Sequence, residues 1–260
     1  MSPDHAALTT LDGFLGGRLS LRQPVSGHRS GTDAMLLATT IPGDAKGELL
    51  DLGAGAGAAG LAAAIRCPGL RATLVEIDSD LAALAGANLT DNGLSDRASV
   101  VHCDALVAAA RRKAGLQDGR ADFVIANPPW LTPGKSRASP DGARALAHVE
   151  RSGSGTDAGV AGWVRAMAAL VRPGGGVAMI HRADALAGVL AAFEGRFGGV
   201  RILPVHPRAG EAAIRVVVSG RKGSRAPMEI SPGLALHSLD GKSTAVSDEI
   251  HRGNFAMDIL

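Results

Sequence analysis

Residues 48–60 read Glu-Leu-Leu-Asp-Leu-Gly-Ala-Gly-Ala-Gly-Ala-Ala-Gly. A short apolar run, Glu48 to Leu52, enters a loop with glycine at 53, 55 and 57, and an Ala-rich stretch follows to about residue 66. The pattern is that of a strand turning directly into a helix. Glycine lets the backbone turn tightly and approach a ligand, and the helix start presents free N–H groups to it. The spacing Gly55-x-Gly57-x-x-Gly60 also satisfies the dinucleotide fingerprint, with Glu76 about 20 residues further on. The loop therefore points to a nucleoside cofactor without choosing between a nicotinamide and S-adenosyl-L-methionine.

Outward from this loop, strands and helices alternate. Strands are expected at 70–77, 98–102, 121–126 and in Val177 to Ile180. Between them lie a helix capped by Ser79 and stopped at Asn92-Gly93, and a helix ending in Arg111, Arg112 and Lys113. An amphipathic helix is marked by Val160, Trp163, Val164, Met167 and Val171, and a further helix is expected over 183–197. Two final strands, 200–206 and 212–219, are joined by only Pro207 to Glu211, which demands an antiparallel hairpin. The fold expected is α/β: a doubly wound, seven-stranded, mostly parallel sheet with an antiparallel C-terminal hairpin. Residues 1–45 form an N-terminal hairpin and helix, with 1–12 a loose tail and Thr32 or Asp33 capping the helix; 46–225 form the main domain, and 226–260 a tail. Residues 131–154 show no periodic element, and a loop this long inside a compact domain is usually functional.

Composition narrows the class. Among 260 residues there are 35 glycines and no tyrosine, and aromatics are 3%, so the core must be aliphatic. The net charge of +2 is too small to imply a nucleic-acid partner without local clusters. Cys67 and Cys103 are the only cysteines, which excludes a disulfide framework and paired zinc motifs and fits a reducing cytoplasm. No metal-ligand spacing is found among the histidines, so no metal is assigned. Neither a signal peptide nor a membrane-spanning run is expected.

The chemistry is carried by Asn127-Pro128-Pro129-Trp130, at the end of the fourth expected strand. A planar amine conjugated to a ring or carbonyl has a delocalised lone pair and is a poor nucleophile. The Asn127 side-chain oxygen and the Pro128 carbonyl can accept its two N–H groups and orient it. Neither proline has an N–H to compete, and Trp130 offers a face for stacking. A sulfonium donor already carries an electrophilic methyl, so orientation and electrostatics suffice. At the strand ends before it, Glu76 can accept from both ribose hydroxyls and Asp104 from an adenine amino group, though Asp104 equally suits a helix cap.

Together these motifs resemble the class I S-adenosylmethionine-dependent methyltransferases that act on amino groups. More narrowly, GHRSGTDAMLLA at 27–38 and HPRAGEAAIRVVVSGRKGSRAP at 206–227 are similar to segments of the bacterial tRNA(Val) adenine-N6 methyltransferases, over about residues 13–225. The resemblance implies S-adenosyl-L-methionine as cofactor, with Asp51, Gly53, Gly55 and Gly57 around its methionine part. Glu76 with Ile77 would hold the ribose and Asp104 with Ala105 the adenine. Thr32 and Asp33 would lie nearby, and residues 127–130 would hold the target amine. Trp130 departs from the family's tyrosine.

The activity so implied is methyl transfer to an exocyclic amine, adenine N6 of tRNA first. A protein glutamine amide or a ribosomal guanine amine shares the motif. A nicotinamide-dependent oxidoreductase remains an alternative on the glycine loop alone, as does a binding protein that has lost activity. An RNA partner would meet basic residues at Arg111–Lys113, at Lys135 and Arg137, and over Arg208–Arg225, provided these share the face of residues 127–130.

Overall fold

The computed structural model describes residues 9–26, 29–129, 159–257 and 259–260. The calls on Trp130, Lys135, Arg137 and the 131–154 loop lie outside the described residues.

The chain opens with a hairpin, β1 (Thr9–Phe14) and β2 (Leu19–Pro24), around a 3-10 turn at Leu15–Gly17. Residues 9–12, expected as loose tail, are thus paired strand: Thr9 faces Pro24 and Asp12 faces Leu21. Helix α1 (Thr32–Thr39) follows. The doubly wound part then runs β3 (Lys46–Leu52), α2 (Ala58–Arg66), β4 (Gly69–Glu76), α3 (Ser79–Asp91), β5 (Ala98–His102), α4 (Ala108–Lys113) and β6 (Ala121–Ala126). After the undescribed segment come α5 (Val160–Leu170), β7 (Val171–Arg182), α6 (Leu186–Phe193), β8 (Phe197–Arg208) and β9 (Arg215–Lys222). The chain finishes with β10 (Glu229–Ile230), β11 (Leu234–His237) and α7 (Ala245–Arg252).

The sheet order is β5-β4-β3-β6-β7-β9-β8, with β10 and β11 both added in parallel along β8. Strands β3 to β7 are parallel, and β9 runs antiparallel to β7 and β8. The expected seven strands are present, and the tail contributes two short ones. Order reverses between β3 and β6, which opens the crevice at their carboxyl ends where α/β sheets bind ligands.

Both faces are covered, as parallel sheets require. On one face α1 and α2 pack Met35, Leu36, Leu61 and Ala62 against Leu49, Ile125 and Ile180. On the other, α5 and α6 pack Val164, Met167 and Val189 against Leu52, Val124, Met179 and Val218. The core is aliphatic, with one ring pair, Phe193 and Phe197, at 5.0 Å between centroids.

Two expected caps are corrected. Helix α3 is capped by Asp78 rather than Ser79: its carboxylate accepts from the N–H of Asp80 and Leu81. Helix α1 has Gly31 at its cap with no side-chain bond, and Thr32 and Asp33 lie inside the first turn.

Candidate functional site

Strand register assembles the site. Leu52 of β3 pairs with Val75 of β4 and with Ala126 of β6, and Glu76 pairs with His102 of β5. Gly53 and Asn127 follow directly on the paired strand ends Leu52 and Ala126, and Glu76 stands one position beyond Val75. The glycine loop, the acid and the carboxamide therefore meet at the switch point because four strands end in step.

Gly53, Gly55 and Gly57 all adopt positive φ, at 69°, 57° and 93°. Side chains are disfavoured there, and above Gly55 a Cβ would point into open space. The N–H groups of Gly53 and Ala54 both reach the Val75 carbonyl, at 2.8 and 3.1 Å. The Gly55 N–H donates to Glu76 Oε2 at 2.7 Å. Glu76 Oε1 accepts from Ile77 and Asp78 N–H at 2.8 and 2.9 Å. With two lone-pair directions per oxygen, Oε1 is filled and Oε2 keeps one acceptor position. The carboxylate thus ties the glycine loop to the end of β4 through three backbone N–H groups.

Asp51 is buried one turn below. Its Oδ2 accepts from Gly60 N–H at 2.8 Å. Burial pushes its carboxyl up to about 7, against the Gly60 hydrogen bond, and the charge of Glu76 adds to the rise. Gly60 packs on Leu74 and on the Asp51 side chain, so the third glycine of the fingerprint serves close helix–strand packing. Asp104 Oδ1 accepts from Leu106 N–H at 2.8 Å, while α4 is capped by Val107. Asp104 therefore closes a turn ahead of the helix. Ile77 is partly exposed and Ala105 buried.

Asn127 is half-buried, Pro128 buried and Pro129 exposed. The Asn127 side chain makes no hydrogen bond with any described residue. It lines a cavity of about 170 Å³ with Arg29, Ser30, Gly31, Thr32 and Asp33. The structure thus brings Thr32 and Asp33 to Asn127. Asp33 is held by Arg215 at 3.3 Å, and Thr32 Oγ1 lies 3.2 Å from His251 Nε2 in α7.

Sequence reasoning missed Trp163. Its indole lies over Gly53, so close that a Cβ on Gly53 would sit 2.7 Å from the ring. The amphipathic spacing put Trp163 on the packed face of a helix, and nothing in that spacing says that this helix end packs on the glycine loop. His181, near the end of β7, is buried with no partner for Nδ1 among the described residues, and burial holds its pKa down.

Among the described residues, the basic positions named from the sequence lie at different places on the sheet. Arg208 and Arg215 lie at the site end of β8 and β9, whereas Arg221 pairs with Gly176 at the far end. Lys222 Nζ donates to the carbonyls of Ala168 and Val171, closing the end of α5. Arg111 is buried and donates to the Ala105 carbonyl at 2.8 Å, so it supports the core and faces no phosphate.

The class of protein defined by this site is a nucleoside-cofactor enzyme with a carboxamide at the neighbouring strand end. Residues 26–141 match the family model described as the methyltransferase small domain. The release factor glutamine methyltransferase of Chlorobaculum tepidum is 34% identical over 83 residues, 32% of this chain and 27% of that protein. The tRNA1(Val) (adenine(37)-N6)-methyltransferase of Enterobacter sp. (strain 638) is 29% identical over 136 residues, 52% of this chain and 54% of that protein. The chain thus spans about half or less of these curated relatives. Among solved structures, a predicted O-methyltransferase from Agrobacterium tumefaciens superposes with a TM-score of 0.72 at 34% identity, covering 86% of this chain and 98% of that one. The chain belongs to the S-adenosylmethionine-dependent methyltransferases that carry the small methyltransferase domain. S-adenosyl-L-methionine is the cofactor of that family, and the nicotinamide alternative falls away.

Proposed function

We infer that this protein methylates an exocyclic amino group of a planar acceptor, with adenine N6 of tRNA as the first candidate. The observation that carries the reading is Asn127: a half-buried carboxamide, free of described hydrogen-bond partners, directly after the β6 end that pairs with the strand leading into the glycine loop, and lining a cavity.

The residues fit the cofactor. Open space lies above Gly55, Glu76 Oε2 keeps one acceptor position for a ribose hydroxyl, and the glycine turn admits a ligand against its backbone. Asp104 Oδ2, free of described partners, suits an adenine amino group. S-adenosyl-L-methionine, when bound, supplies an electrophilic methyl group on a sulfonium. The chain's part is orientation. Asn127 Oδ1 and the Pro128 carbonyl accept the two N–H groups of the acceptor and direct its lone pair out of the ring plane. The proline ring of residue 129 removes a competing donor and fixes the backbone. An oxygen acceptor would call for a base instead, and Asp33, the one carboxylate among the described residues lining the cavity, is engaged by Arg215. Curated relatives named for tRNA adenine and for release factor glutamine support an amine or amide acceptor.

Asn127→Ala tests this. Transfer to RNA from a strain lacking the protein, read as N6-methyladenosine after digestion, is expected to fall by about 10²- to 10³-fold. Affinity for S-adenosylhomocysteine is expected to stay within about threefold. Undiminished transfer by the variant refutes the role of Asn127. Wild-type protein that labels a glutamine peptide and no RNA moves the acceptor to the protein amide.

A further inference from the structure

A second, larger cavity of about 450 Å³ lies between the hairpin turn and α7. It falls within the usual range of small-ligand sites. Thr32 and Gly31 line both this cavity and the one that holds Asn127, so the two are neighbours through one residue's width. We propose that it seats the nucleotide next to the target base in an RNA strand, which rests on the acceptor class inferred above.

Its floor is backbone. Gly13, Gly16 and Gly17 each have open space where a Cβ would stand. Gly16 and Gly17 have positive φ and need glycine for the turn. Gly13 does not: it sits inside β1, opposite Ser20, and lacks both a positive φ and a close neighbour. Glycine weakens a strand interior, and its use there marks a place where a ligand approaches the backbone. Flat peptide planes beside the Phe14 ring suit a planar base. Leu15, in the same turn, is the only non-glycine with positive φ among the described residues, at 53°. Such strain persists where surrounding structure holds it and collects at ligand sites.

The opposite wall is polar and held in place. His251 and Arg252 of α7 line the cavity, against one acid, Asp248. The Arg252 side chain is exposed and pairs with Glu249 at 2.9 Å through one of its guanidinium nitrogens, and the remaining donors of the fork suit a phosphate. Arg18 ties the two walls by donating to the carbonyls of Leu15 and Arg252. Arg66 holds the following segment by donating to the Phe255 carbonyl at 2.7 Å. The space therefore needs no rearrangement to be present.

The test compares methylation of adenosine with that of an adenine-centred trinucleotide, by wild type, Gly13→Val and Arg252→Gln. Valine favours a strand and fills the floor, so Gly13→Val is expected to keep its Tm and its S-adenosylhomocysteine affinity. The wild type is expected to prefer the trinucleotide at least tenfold in kcat/KM, and Gly13→Val to lose that preference. Arg252→Gln is expected to lower the salt slope of RNA binding by about 0.7, the contribution of one phosphate contact to a single strand. It provides the reading if Gly13→Val does not fold. A preference retained by Gly13→Val, or an unchanged slope for Arg252→Gln, overturns the cavity's role while leaving the acceptor class intact. A wild type that methylates no RNA overturns the acceptor class first, and a glutamine peptide as substrate would assign the cavity to a side chain of that peptide.

Discussion

Asp51→Asn isolates the electrostatics beneath the glycine loop. Burial raises the Asp51 carboxyl from its ordinary 3.8 to about 7. The folded state therefore binds a proton that the unfolded state has already released across that interval. Stability from this group is full below about pH 4 and is lost as pH rises to about 7. A displacement of about three pH decades, at 1.36 kcal/mol per decade, comes to about 4 kcal/mol. Asparagine is neutral throughout and keeps an oxygen for the Gly60 N–H, 2.8 Å from the carboxylate in the native chain. Relative to wild type, the variant should gain stability with rising pH and level off above about 7. Urea unfolding at pH 5, 6, 7 and 8 measures this, and taking the difference cancels the other titrating groups. About 3 kcal/mol of relative gain is expected over that range. A difference that stays constant within about 0.5 kcal/mol from pH 5 to 8 would show that Asp51 is not held protonated by its burial.

Two further outcomes follow from the loop's surroundings. Gly53→Ala places a side chain at φ 69° and 2.7 Å from the Trp163 ring. It should cost roughly 2 kcal/mol in unfolding free energy and weaken S-adenosylhomocysteine binding in calorimetry; adding Trp163→Leu should recover only the steric share, and strict additivity would refute the contact. Asn88 is fully buried, accepts from Arg22 N–H at 2.7 Å and donates to the carbonyls of Arg22 and Ala56 at 2.9 Å each. Asn88→Ala leaves these groups unpaired and should cost about 3 kcal/mol in chemical denaturation; a loss below about 1 kcal/mol would show that the hairpin and the loop are not coupled through this side chain.

Much of this architecture was readable because the strands end at sharp chemical boundaries. Gly53 and Asn127 stop β3 and β6 in register, and the short link expected at Pro207 to Glu211 forced an antiparallel pair. The α3 cap was missed by one residue because Asp78 and Ser79 are both good caps. Glu76, by accepting from Ile77 and Asp78 N–H, turns the chain early enough for Asp78 to serve. The paired strand at Thr9–Phe14 shows little apolar alternation, since its burial comes from a partner and not from a hydrophobic face. Strands β10 and β11 have two and four residues, too few for periodicity to register. The sequence does not show how the basic stretch Arg208–Arg225 is spread in space, because β9 carries its cations to both ends of the sheet. Eight residues of strand separate Arg215 from Lys222 by roughly 24 Å, at about 3.4 Å per residue.

The division of labour in the molecule follows from what each part can vary. The glycine loop, Glu76 and Asn127 sit on strands buried between two helical layers, where a shift in one strand end would move every paired neighbour. That part is suited to a fixed cofactor and a fixed reacting group. The walls of the acceptor side come from outside the parallel strands: the hairpin turn, the start of α1 and the last turn of α7. They are joined to the frame by a few polar links, with Asn88 to the hairpin, Arg66 to the C-terminal segment, and Arg215 to Asp33. Side chains on those walls can change without disturbing strand register, so under the proposed function selectivity among acceptors would be set there. Thr32, which touches both cavities and approaches His251, stands where the choice of neighbour and the placement of the target meet.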